Sequence, residues 1–163
     1  LVLGGGHVGR AVAAAARAVG FAVTVADDRA EYLAPERFPA GVETLLGGYA
    51  ETVEAFSWDA SAYAVIVTRG HLADLESLRA VLGKPWRYAG MIGSRRKVRL
   101  MLDQVLADGF DPAKVAAVSA PIGLDIGAET PEELAVSIVG ELVAVRRGIA
   151  AASLSRRSPR SAS

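Results

Sequence analysis

Short apolar runs alternate along the chain with longer segments in which apolar residues recur every three or four positions. The runs fall at residues 1–3, 22–26, 42–46, 63–67 and 88–92. They mostly lack inside/outside alternation, which is the pattern of strands covered on both faces and hence of a parallel sheet. Residues 8–19, 50–56, 72–82 and 94–107 carry the helical period. In the last of these, Val98, Met101, Leu102, Val105 and Leu106 make an apolar face and Arg95, Arg96, Arg99 and Asp103 a polar one. A final helix is predicted to start at Thr130 and run to Arg147, because Thr130 as N-cap, Pro131 at the first helical position and Glu133 after it form a capping box. The order βαβαβαβαβα with right-handed crossovers predicts an α/β, doubly wound, Rossmann-like parallel sheet in strand order 3-2-1-4-5, with helices on both faces. This unit is expected to span residues 1–149. Residues 150–163 hold Ala, Ser, Arg and Pro with a single Leu; they read as a disordered tail in which Arg156, Arg157 and Arg160 stay solvated. A first run of only three residues, headed by Leu, reads as a chain whose upstream sequence is missing.

Composition narrows the function classes. Eighteen basic and eighteen acidic side chains cancel, so neither nucleic acid nor an anionic membrane is the expected partner. Although 52% of the residues are apolar, no uncharged apolar run approaches the roughly 18 residues of a membrane helix. There is no Cys. That excludes disulfides, thiolate metal sites and cysteine nucleophiles from this chain, and it predicts a reducing, cytoplasmic setting. The last helix carries Glu141 as its one charge between Leu134 and Val145, and so needs cover on more than its sheet-facing side. The cover is expected from a second copy of the chain, making a homo-oligomer, or else from sequence missing upstream.

Four segments carry candidate chemistry. Gly4-Gly5-Gly6-His7-Val8-Gly9 places glycines at the G-x-G-x-x-G positions between a strand and a helix, with Asp27 and Asp28 at the end of the next strand. Gly4 is expected to make the tight turn, Gly6 to let backbone approach a phosphate, and Gly9 to allow close helix–sheet packing. The phosphate would lie on the helix N-terminus. Asp27 or Asp28 would accept from a ribose diol, or Arg29 would face a 2′-phosphate; the spacing leaves these open. Next, Thr68-Arg69-Gly70-His71 leaves the fourth strand. Strands 1 and 4 flank the switch point, so Thr68, Arg69 and His71 should face its crevice and suit an anionic or heteroaromatic ligand. Gly93-Ser94-Arg95-Arg96-Lys97 leads from the fifth strand into a helix, where cations oppose the helix dipole unless an anion joins them. Ser94 is the expected N-cap. Last, Pro121 to Thr130 is neither strand nor helix, yet too apolar for a plain surface loop. Helix capping explains Glu132 and Glu133 there; Asp125 and Glu129 have no such account.

In this order the segments resemble the C-terminal Rossmann domain of the XdhC/CoxI family, accessory proteins of xanthine dehydrogenase and related molybdenum hydroxylases. The resemblance runs from residue 1 to about 147 and is carried most specifically by TRGH at 68–71, GMIGSRRKVRL at 90–100 and PIGLDIGAETPEELAVSI at 121–138. It implies a non-catalytic accessory domain that binds a molybdopterin-type molybdenum cofactor, protects it, supports its sulfuration by a cysteine desulfurase and helps place it in the apo-hydroxylase. In that family an N-terminal domain carrying a cysteine precedes the Rossmann domain. Residues 1–163 contain no such domain and no Cys, so the desulfurase is expected to engage through the absent part. Two other classes use the same glycine loop: an oxidoreductase with NAD or NADP, for which His71 is the one ordinary acid or base, and a module that senses a dinucleotide without turnover.

Overall fold

The structure, a computed structural model, describes residues 1–149. The tail at 150–163, with the three arginines assigned to it, therefore lies outside the described residues. Five strands, β1 (Val2–Leu3), β2 (Val23–Asp27), β3 (Val42–Leu46), β4 (Tyr63–Ile66) and β5 (Tyr88–Met91), form one sheet in the order β3-β2-β1-β4-β5. Every pairing is parallel. This is the order that the alternation of elements predicts. Two residues suffice for β1 because it is central: Val2 pairs with Val25 on one side and Val65 on the other.

The helices are α1 (His7–Ala18), α2 (Tyr49–Ala55), α3 (Gly70–Leu82), α4 (Arg95–Ala107), α5 (Pro112–Ala116) and α6 (Pro131–Arg147). On one face of the sheet Val12, Ala13 and Ala16 of α1 meet Ala135, Ile138, Val139 and Leu142 of α6 over Val2, Val25 and Val65. On the other, Val53, Leu78, Val81, Val98, Met101 and Val105 from α2, α3 and α4 cover Leu3, Ala26, Ile66 and Met91. Two apolar layers exclude water from both sides of β1, β2, β4 and β5, which is why these strands carry little alternation; β3, at the edge of the sheet, has no fully buried residue.

The caps follow the sequence signals. Thr130 Oγ1 accepts from Glu133 N–H at 3.2 Å, and Glu133 Oε2 accepts from the N–H groups of Thr130 and Glu129 at 3.0 and 2.8 Å. Ser94 Oγ accepts from Lys97 N–H at 3.2 Å. The sequence pattern predicts nothing for α5, although Asp111 and Pro112 carry the start signal and Asp111 Oδ1 caps Ala113 N–H at 2.9 Å. Five residues are too few to show a period.

Segment 119–126 has its account in the tertiary structure. Ser119 bridges in parallel to Gly90 at the β5 edge, the Ala120–Pro121 peptide is cis, and Ile122 N–H donates to Met91 O at 2.9 Å. The chain then lies on α6. The buried Glu141 carboxylate accepts from Gly123 N–H at 2.5 Å, and Ser137 Oγ donates to Leu124 O at 2.7 Å. Much of the apolar girth of α6 is thus covered inside the chain, by α1 and by this segment. Val136, 62% exposed, lies outside that cover.

Candidate functional site

Parallel strands bring all their carboxyl ends to one edge, and the loops leaving β1, β2, β4 and β5 meet there. Gly4 turns the chain with φ +111°, and a Cβ on it would stand 2.5 Å from Val67 O. A Cβ on Gly9 would stand 1.8 Å from Gly4 O. Gly4 therefore makes the turn, and Gly9 packs closely against it. Gly6 differs: a Cβ there meets nothing within 4 Å. Gly6 is the N-cap of α1 and supplies no side chain to hold the first-turn N–H groups. The helix dipole and these groups make it an anion-accepting end. His7 stands exposed and Val8 half-buried on that turn.

The two acids at the end of β2, between which the sequence does not choose, have different surroundings. Asp27 is fully buried. Its Oδ2 accepts from Gly5 N–H at 2.8 Å, and its Oδ1 from Arg29 N–H and Nε–H at 3.1 Å each. Burial alone would raise the carboxyl pKa, but the Gly5 N–H and the Arg29 guanidinium outweigh it and hold the pKa below the usual value. Asp27 thus shapes the glycine loop from inside. Arg29 lies 3.7 Å above the Tyr32 ring, and Arg37 Nη2–H donates to Gly5 O at 3.0 Å. Both ends of the Gly5 residue are therefore occupied by the segment after β2. Asp28 is the exposed acid, with Oδ2 at 3.3 Å from Arg69 Nη2 and Oδ1 at 3.4 Å from Arg29 Nε.

The TRGH loop reaches the same edge from β4. Arg69 is the N-cap of α3, again without a side-chain cap. Gly70 takes φ +83°, and a Cβ on it would meet nothing within 4 Å. His71 is exposed on the first turn. Thr68 Oγ1 donates to Asp74 Oδ1, and the other carboxylate oxygen of Asp74 takes Lys97 Nζ at 2.5 Å. Asp74 is fully buried, so this acid ties the β4 loop to the first turn of α4. The tie joins Thr68 and Arg69 to Gly93, Ser94 and Arg95 along one rim. Gly93 takes φ +155°, and Arg95 is exposed. Asp125, half-buried, follows Gly123 on the segment laid against α6.

Sequence reading passes over Asp74, Tyr32, Arg37 and Tyr49. A signal exists for Asp74, which falls at helical spacing with Leu78 and Val81 on the apolar face of α3. Tyr49 is 3% exposed, and its hydroxyl has no hydrogen-bond partner among the described residues. Burial first, then the carboxylates of Asp27 and Asp28, push its pKa up, against Arg29 and Arg69. An open groove of about 460 Å³ runs between α4 and α5, lined by Arg95, Val98, Leu102, Leu106, Pro112 and Val115, so Arg95 of the rim borders it as well. Among the described residues, no three or more His, Asp or Glu side chains are placed to hold a metal ion, and no helix is long and apolar enough to cross a membrane.

Residues 1–142 match the family described as the XdhC Rossmann domain. The protein YqeB of Escherichia coli K12 is 37% identical over 147 residues, which is 90% of this chain and 27% of YqeB. A protein of Bacillus subtilis 168 named as a probable xanthine dehydrogenase subunit is 29% identical over 131 residues, 80% of this chain and 38% of that protein. A crystal structure described as a xanthine dehydrogenase from Bacillus halodurans superposes with a TM-score of 0.79 at 29% identity, over 90% of this chain and 43% of that one. The chain thus spans less than half the length of each of these relatives. The match runs from the glycine loop through TRGH and the GSRRK turn into α6, the same stretch that builds the carboxyl-edge crevice, and on it the chain belongs to the family of the XdhC Rossmann domain.

Proposed function

We propose that this chain is the cofactor-binding part of an accessory protein serving xanthine dehydrogenase-type molybdenum hydroxylases, and that it takes a molybdopterin-type molybdenum cofactor. The observation that carries the reading is the pair of helix N-termini at the switch point. α1 and α3 both start without a side-chain cap, and both Gly6 and Gly70 leave open space where a Cβ would stand. Two dipole ends and Arg69 suit a phosphate, and Ser94 and Arg95 continue the polar rim toward β5 for the rest of an anionic heterocycle. This is the fit the chain offers: Gly6, Gly70, Arg69 and the α1 and α3 amides would hold the phosphate, with Thr68 placed by Asp74. When bound, such a group supplies the redox centre that the hydroxylase uses. The residues here bind it, orient it and shield it from water. The relatives named for xanthine dehydrogenase support the same partner. Protection, support for sulfuration by a cysteine desulfurase, and insertion into the apo-hydroxylase are the steps we assign to the whole accessory protein.

The oxidoreductase reading has less behind it. The usual ribose acceptor, Asp27, is fully buried and bonded to Gly5 and Arg29, and His71 stands exposed with no carboxylate within ion-pair distance among the described residues. The test incubates the purified chain with molybdenum cofactor freed from a hydroxylase, then follows pterin fluorescence through gel filtration. Co-elution is expected. Gly6→Ala should weaken retention by more than about tenfold, or about 1.4 kcal/mol, with the fold intact, because the added methyl group fills ligand space and touches no protein atom. Retention of NAD without any pterin would overturn the reading.

A further inference from the structure

We propose that Asp28 is a built-in counter-ion that competes with the ligand for Arg69 and so sets the charge a ligand must carry; this rests on the crevice being an anion site. The strand order supplies the geometry. β2 and β4 lie on either side of β1, so a bond from Asp28, just beyond β2, to Arg69, just beyond β4, passes over the end of β1, where the glycine loop begins. The loop is pressed against the same strand ends: Gly4 N–H donates to Ala26 O at 2.8 Å, and Thr68 Cα stands 3.1 Å from where a Gly4 Cβ would be. The Asp28–Arg69 pair, at 3.3 Å, therefore spans the loop between the α1 and α3 N-termini.

The pair is weak by position. Its side chains are 38% and 59% exposed, and ion pairs so open to water contribute little. Asp28 also has a second cation, Arg29, at 3.4 Å, so it is not left alone when Arg69 moves. A phosphate dianion brings more charge than the carboxylate and gains two helix ends that Asp28 does not reach. Exchange of Arg69 from Asp28 to the phosphate is then favourable, whereas a monoanion of carboxylate strength gains too little. The shared chemistry is that of a phosphate or pyrophosphate group, whether borne by a pterin or by another nucleotide.

Inorganic pyrophosphate is the probe. Its binding to the chain, to Asp28→Asn, to Arg69→Ala and to the double variant is measured by calorimetry at fixed ionic strength. Asp28→Asn should bind at least about threefold more tightly, about 0.7 kcal/mol, and Arg69→Ala more weakly. The gain from Asp28→Asn should vanish when Arg69 is already Ala, since the two residues act on each other. A gain that survives in the double variant is general charge repulsion and overturns the proposal. Weaker binding by Asp28→Asn overturns it too, and makes Asp28 a direct ligand contact such as a diol acceptor. Pyrophosphate binding that Asp28→Asn leaves unchanged sinks this inference alone. No binding by any of the four chains sinks it together with the cofactor reading.

Discussion

Two glycines three positions apart respond oppositely to the same added methyl group. At Gly6 the methyl meets nothing within 4 Å, whereas at Gly9 it would stand 1.8 Å from the backbone oxygen of Gly4. A backbone atom held in a sheet-end turn cannot step aside as a flexible side chain does. Gly9→Ala should therefore destabilise the fold by at least about 3 kcal/mol, the upper end of ordinary overpacking costs. Denaturant melts of Gly9→Ala and Gly6→Ala beside the parent chain check this; equal midpoints for all three would show that α1 can shift away from the loop. The close packing at Gly9 is legible in the G-x-G-x-x-G spacing alone. That spacing does not tell that Gly5, just before Gly6, is held at N–H by Asp27 and at C=O by Arg37.

At the scale of elements, buried carboxylates join what the sheet brings close. Asp27 fastens β2 to the glycine loop, Asp74 fastens the β4 loop to α4, and Glu141 fastens the segment after β5 to α6. The first has a pH signature. The folded Asp27 pKa is lowered, so its contribution to stability is fully present above the unfolded carboxylate value near 3.8 and is lost as pH falls through the lower folded value. Asp27→Asn should cost about 1–3 kcal/mol at neutral pH, the range for leaving buried donors without their charged acceptor. It should also flatten the loss of stability between about pH 5 and pH 2. Urea melts across that range decide it: parallel acid limbs for the two chains would mean that Asp27 is not ionised in the fold. Asp74 is legible in retrospect as an acid on an apolar helix face, but its partners Thr68 and Lys97 lie six and 23 residues away, and no local pattern ties them.

For the whole molecule, charge and the missing thiols set the limits. With no Cys in 163 residues the chain offers no thiolate to carry a persulfide. Incubated with a cysteine desulfurase and cysteine, it should gain no covalent sulfur, while still holding cofactor if the proposed function is right. Intact-mass measurement reads this directly, and a stable gain of one sulfur atom would show another route for that atom. Part of the broad apolar surface of α6, which in the sequence calls for a second copy of the chain, is met by α1 on one side and by Gly123, Leu124 and Ile122 on the other, while Val136 stays exposed.

The sequence by itself determined the sheet order, the helix starts at Ser94 and Thr130, and the place of the crevice. Each of these rests on short-range physics: the period of apolar residues, the caps that satisfy the first N–H groups of a helix, and the right-handed crossover that leaves few topologies. Only the tertiary structure decided which acid at the end of β2 is buried and which stands exposed, that Arg69 is paired with Asp28, and that segment 119–126 packs on α6. Those outcomes depend on which distant donors a folded carboxylate meets. Asp27 and Asp28 are adjacent and chemically identical, and the sheet alone places one against the Gly5 N–H and leaves the other at the edge of the water.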